Sequence, residues 1–299
     1  AGNDILKGDA GNDKVLGGLG NDTINGGAGD DDLRGEAGDD TITSGAGSDT
    51  ITGGLGNDTI NINSAGNKTI DGGAGTDTLN IAYSGISSLK DFLLSNYSSG
   101  ELNYIRATDS SNNLIDFTSF IEALTVNSIS YAFAPSTTIN SGDGGISNAF
   151  YSTSQKTIHS YGSTIWYAQN ICSGDHTLGF NCSDDIEYIG SASQETLNLN
   201  INRVNYTGDL TIDLKDGNDS INSAKLINTD SIDMGAGDDT VSVMFGADAG
   251  GYQTIQNASI SKLDGGAGTD TLSFGESANP PTTISLTTAG ATNFENLTG

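Results

Sequence analysis

The sequence has few of the residues on which most enzyme active sites and nucleic-acid interfaces depend. Its 299 residues include two cysteines, two histidines and 11 basic residues, against 38 acidic ones. The absence of an H-E-x-x-H stretch argues against a zinc protease, and no G-x-S-x-G motif for a serine nucleophile occurs. The basic residues are scattered, whereas nucleic-acid-binding proteins cluster them. We therefore predict that the chain is not an enzyme and does not bind nucleic acid.

The scarce cysteines and histidines still leave alternatives open. Cys172 and Cys182 are ten residues apart, which in an extracellular protein favours a disulfide over two buried thiols. A zinc site built from His159, His176 and a carboxylate is the alternative to purely structural histidines. No signal peptide, lipidation motif or transmembrane run is evident, so we expect no membrane insertion.

What the sequence has instead is a nonapeptide repeat in residues 1–82. The triplet Gly-x-Asp recurs nine residues apart, and one aliphatic residue follows each aspartate position by two. All nine copies keep the aliphatic residue, so the repeat is structured. The aliphatic positions are Leu6, Val15, Ile24, Leu33, Ile42, Ile51, Ile60, Ile70 and Leu79.

Each repeat position has a physical meaning. The glycines allow a tight turn of about six residues, and the remaining three form a short strand with its aliphatic side chain inward. Two repeats make one coil of a parallel β-roll, and coils stack about 4.8 Å apart. Stacked aspartates would repel one another without a cation, and oxygen ligands at this spacing suit Ca²⁺. The net charge of -27 likewise anticipates several bound cations.

The stretch Gly17-Gly18-Leu19-Gly20-Asn21-Asp22-Thr23-Ile24-Asn25 resembles the G-G-x-G-x-D-x-U-x repeat of RTX (hemolysin-type calcium-binding) proteins. The resemblance implies an all-β fold, a right-handed parallel β-roll or β-solenoid, and type I secretion to the bacterial cell surface. It also implies multiple Ca²⁺ ions. The predicted ligands, from the first block and from three later loops, are Asp4, Asp13, Asp22, Asp31, Asp40, Asp49, Asp58, Asp77, Asp219, Asp239 and Asp270.

One repeat departs from the pattern. Nine loops create seven gaps along the two edges of the roll, but the eighth loop has Lys68 where aspartate belongs. Only six gaps therefore have an aspartate on both sides. Either Lys68 supplies a fixed positive charge in place of an ion, or the last coil is simply capped there.

Residues 83–190 differ in character, because they lack the nonapeptide and hold most of the aromatic residues. Residues 87–96 have the serine cap and spacing of a short helix, while residues 129–133 and 164–168 alternate as strands do. We expect an insertion or wide-coil β region whose aromatic residues form a thicker core. A carbohydrate-binding surface using Tyr161, Trp166 and Tyr167 is the alternative.

A second phrase, an apolar residue followed by Glu, any residue and Leu or Ile, recurs at residues 120–126, 186–190 and 294–299. Glu195, eight residues after Glu187, occupies the aspartate position of a decayed repeat. Residues 191–299 then read as a second solenoid with isolated calcium loops. Coils of about 20 residues would place Asp219 beneath Asp239 with a calcium ion between them.

These observations predict a calcium-binding structural segment of a secreted surface protein, such as an S-layer, adhesin stalk or filament. The alternative is an accessory RTX module of a secreted polysaccharide-modifying enzyme or a carbohydrate-binding adhesin. Joining Gly299 to Ala1 reproduces the spacing between Glu187 and Glu195, so we expect head-to-tail continuation with another copy or repeat. The other interpretation is an arbitrary boundary within a longer protein. Cell-surface polysaccharide is a further candidate partner.

Overall fold

The computed structural model describes residues 1–99, 102–118, 120–133, 145–146, 149–161, 164–167, 183–199, 208–224, 230–244, 262–275 and 291–298. Its architecture is nearly all β, as the repeat predicts. The chain divides into two compact units, residues 1–133 and 134–299. The boundaries predicted from the sequence pattern, at residues 82 and 190, stay predictions.

The first unit begins with a roll in which successive strands alternate between two sheets. Odd-numbered strands pair in parallel in the order β1-β3-β5-β7-β9, and even-numbered strands pair in the order β2-β4-β6-β8. One coil therefore contains one strand from each sheet. The strands are β1 Ile5–Lys7, β2 Lys14–Leu19, β3 Thr23–Ala28, β4 Asp32–Ala37, β5 Thr41–Ala46, β6 Asp49–Leu55, β7 Thr59–Ile62, β8 Lys68–Ala74 and β9 Asp77–Ile81.

The core of this roll is a double column of the repeated aliphatic side chains. Ile24 pairs with Ile42, and Ile42 with Ile60, so identical positions stack coil upon coil. Seven of the predicted inward positions, from Ile24 to Leu79, are at most 1% exposed. Because each half-coil contributes so little apolar surface, the register of the roll depends on its turns as well as its core.

Residues 83–133 extend both sheets of the roll with strands that pair antiparallel to one another. β10 Phe92–Ser99, β11 Leu102–Asp109 and β12 Leu114–Thr118 follow one another, and β12 pairs in parallel with β8. β13 Ile121–Val126 pairs with β9 and with β14 Ile129–Phe133. The strand predicted at residues 129–133 is present as β14.

The helix predicted over residues 87–96 is wrong beyond its first turn. Ser88 does cap a helix, but that helix is a single 3-10 turn, Leu89–Asp91, and the chain then enters β10. Phe92 and Leu94 are buried while Leu93 is 36% exposed, which is the alternation of a strand. Pairing with β11, distant in sequence, therefore outweighs the local helical spacing.

The second unit is again a two-sheet parallel solenoid. In one sheet β17, β19, β21, β23, β25 and β27 pair in parallel, and β18, β20, β22, β24, β26 and β28 do so in the other. β15 pairs antiparallel with β18, and β16 pairs antiparallel with β17. The strands are β15 Gly145–Ile146, β16 Ala149–Ser152, β17 Thr157–Ser160, β18 Ile165–Tyr167, β19 Ile186–Ile189, β20 Thr196–Asn198, β21 Leu210–Asp213, β22 Ser220–Ala224, β23 Ser231–Asp233, β24 Thr240–Met244, β25 Lys262–Asp264, β26 Thr271–Gly275, β27 Ala291–Thr292 and β28 Asn296–Thr298.

A single apolar cluster fills the described part of this second unit. Leu197, Ile221, Val241 and Leu272 stack along one sheet, each at most 1% exposed. Tyr188 is fully buried in the same cluster. Aromatic residues thus enlarge the core, as expected for the aromatic-rich stretch. Among the described residues, no helix has the length and hydropathy needed to cross a bilayer.

Candidate metal centres

The aspartates of the first unit form two ladders along the edges of the roll. The Oδ1 atom of each aspartate accepts a hydrogen bond from the backbone N–H of the aspartate one coil earlier. The N···O distances are 2.7 Å for Asp4 to Asp22, 2.7 Å for Asp22 to Asp40, 2.8 Å for Asp40 to Asp58, 2.8 Å for Asp58 to Asp77, 2.9 Å for Asp13 to Asp31 and 3.1 Å for Asp31 to Asp49. These are the six gaps with an aspartate on each side.

The second oxygen of these carboxylates lacks a partner. Within the described residues the buried Oδ2 atom accepts no hydrogen bond in Asp13, Asp22, Asp31, Asp40, Asp58 and Asp77. Burying a carboxylate oxygen without compensation costs several kcal/mol, at least about 1–3 kcal/mol even for a neutral group. A row of such atoms therefore points to a bound cation.

The contacts of the Lys68 ammonium indicate which oxygens would hold a cation. Its Nζ donates to Gly45 O at 3.0 Å, to Gly47 O at 2.5 Å and to Asp49 Oδ2 at 2.8 Å. The side chains of Lys68 and Asp49 are both 0% exposed. Asp49 is accordingly missing from the carboxylates with an unpartnered Oδ2. Of the two interpretations of Lys68, the structure supports the fixed positive charge.

The Lys68 contacts define a recurrent set of oxygen ligands. They comprise the carboxylate and the carbonyls two and four residues before it. In the loop of Asp58 the same sequence positions are Gly56 and Gly54, and in the loop of Asp22 they are Gly20 and Gly18. The donors are all carboxylate and carbonyl oxygens, which fit Ca²⁺ and would hold it between coils. Among the described residues no three acidic, histidine or cysteine side chains are placed to hold a metal ion by themselves, and in this set the backbone carbonyls supply further oxygens.

Glycine is required where the loops stack. Gly56 has φ of +125°, and a Cβ atom built there would lie 2.2 Å from Gly38 O of the preceding coil. Any other residue would be strained in its backbone and would also push the two loops apart. The glycines therefore set the coil-to-coil distance over which a cation can be shared.

A second carboxylate ladder follows one edge of the second unit. Backbone N–H groups donate to the next carboxylate at 2.7 Å for Glu195 to Asp219, 2.7 Å for Asp219 to Asp239 and 2.9 Å for Asp239 to Asp270. The structure thus brings Asp219 and Asp239 together, and it continues to Asp270 despite a spacing of 31 residues. Within the described residues Glu195 Oε2 and the Oδ2 atoms of these aspartates accept no hydrogen bond.

Glu195 was not among the predicted ligands, although its place in a decayed repeat was recognised. Its Oε1 accepts hydrogen bonds from Ser160 Oγ at 2.7 Å and from Ser191 Oγ at 2.5 Å, and the residue is 0% exposed. Burial raises the pKa of both Glu195 and its neighbour Asp219 well above the ordinary carboxyl range. A cation between them would allow both to ionise.

Burial acts in the same direction on the pKa of Asp58 and of Asp239. Burial raises the pKa of Asp58 to about 6, with a further contribution from the charge of Asp77 and an opposing one from the Asp40 N–H hydrogen bond. Burial also raises the pKa of Asp239 to about 6, with help from Asp270. Both sites therefore disfavour an uncompensated negative charge.

The remaining predicted features contribute little to the metal centres. His159 is buried on β17 opposite Phe150, and Tyr161 is half-buried with its ring 5.0 Å from that of Phe150. Tyr161 therefore packs in the unit and offers less surface to a sugar. Cys172, Cys182, His176 and the side chains of Trp166 and Tyr167 lie outside the described residues.

Comparison with known proteins identifies the repeat. The sequence matches the RTX calcium-binding nonapeptide repeat in four segments, residues 1–33, 25–60, 64–80 and 259–279. The chain carries RTX calcium-binding repeats. These repeats bind calcium at multiple sites and are typical of secreted proteins. The loops of Glu195, Asp219 and Asp239 lie outside the four matched segments, so their ligands are assigned from the ladder geometry.

A solved structure is also similar over part of the chain. The AlgE6R3 subunit of the Azotobacter vinelandii mannuronan C5-epimerase is 26% identical, and the match covers 36% of this chain and 71% of that one with a TM-score of 0.28. No curated protein sequence matches this chain.

Proposed function

We propose that this chain is a calcium-rigidified structural segment of a secreted bacterial surface protein. The observation that carries the proposal is the continuous ladder of buried carboxylates that joins every coil of the first roll to the next. A row of bound ions would strengthen these contacts between coils. Loss of the ions would leave rows of negatively charged carboxylates facing one another.

The distribution of the ladders supports a structural role over a catalytic one. The described ladder carboxylates lie along the edges of the solenoids, one per coil on each ladder, and do not converge on one cleft. Their hydrogen bonds link backbone to side chain between coils, which stiffens the solenoid along its axis. Stacked repeats of this kind gain stability from nearest-neighbour contacts, so one ion per contact stabilises the whole length.

The proposed location can be tested on cells that produce the protein. We expect immunogold labelling at the cell surface in calcium, and release of the labelled protein into the medium when calcium is chelated. Labelling confined to the cytoplasm would contradict the proposal. Activity of the purified full-length protein on a polysaccharide would favour the accessory-module alternative instead.

A further inference from the structure

Two of the three described ladders, the one that reaches Asp77 and the one that reaches Asp270, end on a glutamate that the repeat motif does not contain. Glu122 Oε2 accepts a hydrogen bond from the backbone N–H of Asp77 at 2.7 Å. Glu295 Oε2 accepts one from the backbone N–H of Asp270 at 2.9 Å. These are the same contacts that the Oδ1 atom of an aspartate makes elsewhere in the ladder. Both glutamates therefore occupy the next ladder position in their unit.

Strand pairing next to Glu122 and Glu295 places both side chains at the ends of their ladders. In β13, Ile121 pairs with Asp77 and Ala123 with Thr78, so Glu122 is an extra residue in a β-bulge. Bulges re-aim side chains in this way at the ends of pairing. In β28, Asn296 pairs with Thr271, which places Glu295 beside Asp270. The longer glutamate side chain reaches the ladder in both cases.

The recurring phrase alone does not create this arrangement. Its second copy contains Glu187, which lies within β19 and pairs with Thr157 and Thr211 on neighbouring strands. Glu187 accordingly has no place in the ladder, and Glu195 takes the position there. Glu187 thus provides a control with the same sequence context and a different structural position.

In these two ladders the last aspartate has no second carboxylate beside it unless the glutamate supplies one. Asp77 and Asp270 are both 0% exposed, and their Oδ2 atoms accept no hydrogen bond within the described residues. Two and four residues earlier, their loops have glycines, as the loop of Asp49 does with Gly47 and Gly45. Each loop therefore presents the oxygen set that holds the Lys68 ammonium, with no lysine to fill it.

We propose that Glu122 and Glu295 each complete a terminal calcium site, with Asp77 and Asp270 as their respective partners. The ligand is a divalent cation with a preference for oxygen donors. Unlike the buried aspartates, both glutamates are exposed, so these sites open to solvent on one side. The terminal ions should therefore exchange faster and bind more weakly than the ions between buried aspartates.

The first test counts bound calcium in the full chain. In Glu122→Gln and in Glu295→Gln we expect one ion fewer by equilibrium dialysis with elemental analysis, or at least a tenfold weaker lowest-affinity site. The double variant should lose two ions, and the control Glu187→Gln none. Glutamine keeps the hydrogen-bond acceptor but removes the charge, so these variants separate the charge of each glutamate from its hydrogen bond. Unchanged calcium number and affinity in both single variants would overturn the proposal.

A second measurement does not depend on how the glutamine variants fold. Phe120 is 47% exposed and two residues from Glu122, so Phe120→Trp places a sensitiser for bound Tb³⁺ beside the site. We expect more sensitised Tb³⁺ emission than in the unmodified chain, and loss of that gain when Glu122→Gln is added. No gain, or a gain that Glu122→Gln leaves intact, would contradict a metal ion at Glu122.

The inference rests on the calcium-binding role proposed for the ladders, and the experiment separates the two. If the unmodified chain binds no calcium, the ladder interpretation itself fails. If it binds calcium normally and the glutamine variants behave like Glu187→Gln, only the terminal sites are refuted, and Glu122 and Glu295 are hydrogen-bonding caps.

Discussion

Replacing Lys68 with aspartate should convert a gap held by an internal cation into one that needs calcium. The Lys68 ammonium contacts two carbonyls and the buried Asp49 carboxylate. In Lys68→Asp these oxygens lose their counter-charge and face another carboxylate. Breaking a buried ion pair costs about 3–5 kcal/mol, so at low calcium the first unit should be less stable by at least that amount.

Calcium should reverse the loss, because the variant gap has the same aspartate pair as the other six. Linkage gives each saturable site RT ln(1 + [L]/Kd), or about 1.4 kcal/mol for each tenfold rise in free calcium above Kd. The free energy of unfolding of Lys68→Asp should therefore rise with log calcium more steeply than that of the unmodified chain, by about 1.4 kcal/mol per decade. One additional bound ion should be counted.

Urea unfolding across two decades of free calcium measures this slope. Lys14→Asp is the matched control, because Lys14 is 58% exposed, and its pair with Asp32 at 3.2 Å should contribute less than about 1 kcal/mol. Lys68→Met should show the low-calcium loss without a second carboxylate. An identical calcium slope and ion count in Lys68→Asp and the unmodified chain would refute the assignment of Lys68 as a replacement for calcium.

Three further outcomes follow from the fold. Gly56→Ala should lower the free energy of unfolding by more than about 1 kcal/mol in urea titrations, because Gly56 has a positive φ and a Cβ atom there would clash with Gly38 O. A neutral effect would contradict the close stacking of the loops. Ile60→Ala, at a site 0% exposed, should cost about 2–5 kcal/mol, whereas Leu55→Ala, at a site 62% exposed, should be nearly neutral; equal losses would argue against the assigned core. Burial raises the folded-state pKa of Asp58 and Asp239 to about 6, so the free energy of unfolding without calcium should fall as pH rises from about 4 to 6. Calcium affinity should rise over the same range, because the carboxylates lose their protons. A calcium affinity that does not depend on pH would contradict this expectation.

The roll could be predicted because the features that define it are encoded within each nine-residue repeat. The spacing of Gly-x-Asp and the aliphatic residue two places on specify a turn, a strand and an inward side chain. The confirmed all-β fold and the buried column from Ile24 to Leu79 follow from that pattern. The place of Glu195 in the second ladder was also visible, since the decayed repeat keeps its spacing to the following strand.

Features that depend on distant pairing were harder to foresee. Residues 87–96 have helical spacing, but β11 recruits Phe92 and its successors into a strand. Glu122 reaches the ladder from 45 residues beyond Asp77, through a bulge that no local pattern specifies. The recurrence of the apolar-Glu phrase was a signal, yet Glu187 shows that the phrase alone does not determine the position of its glutamate.

The most direct test of the account is the calcium dependence of the fold itself. Circular dichroism of the full chain should show loss of the β signal and of the cooperative melting transition when calcium is chelated. Both should return when calcium is restored and should not return with an equal concentration of magnesium, which prefers a smaller and more rigid octahedral site. An unchanged β signal and melting temperature in excess chelator would contradict the claim that cations hold the carboxylate ladders together.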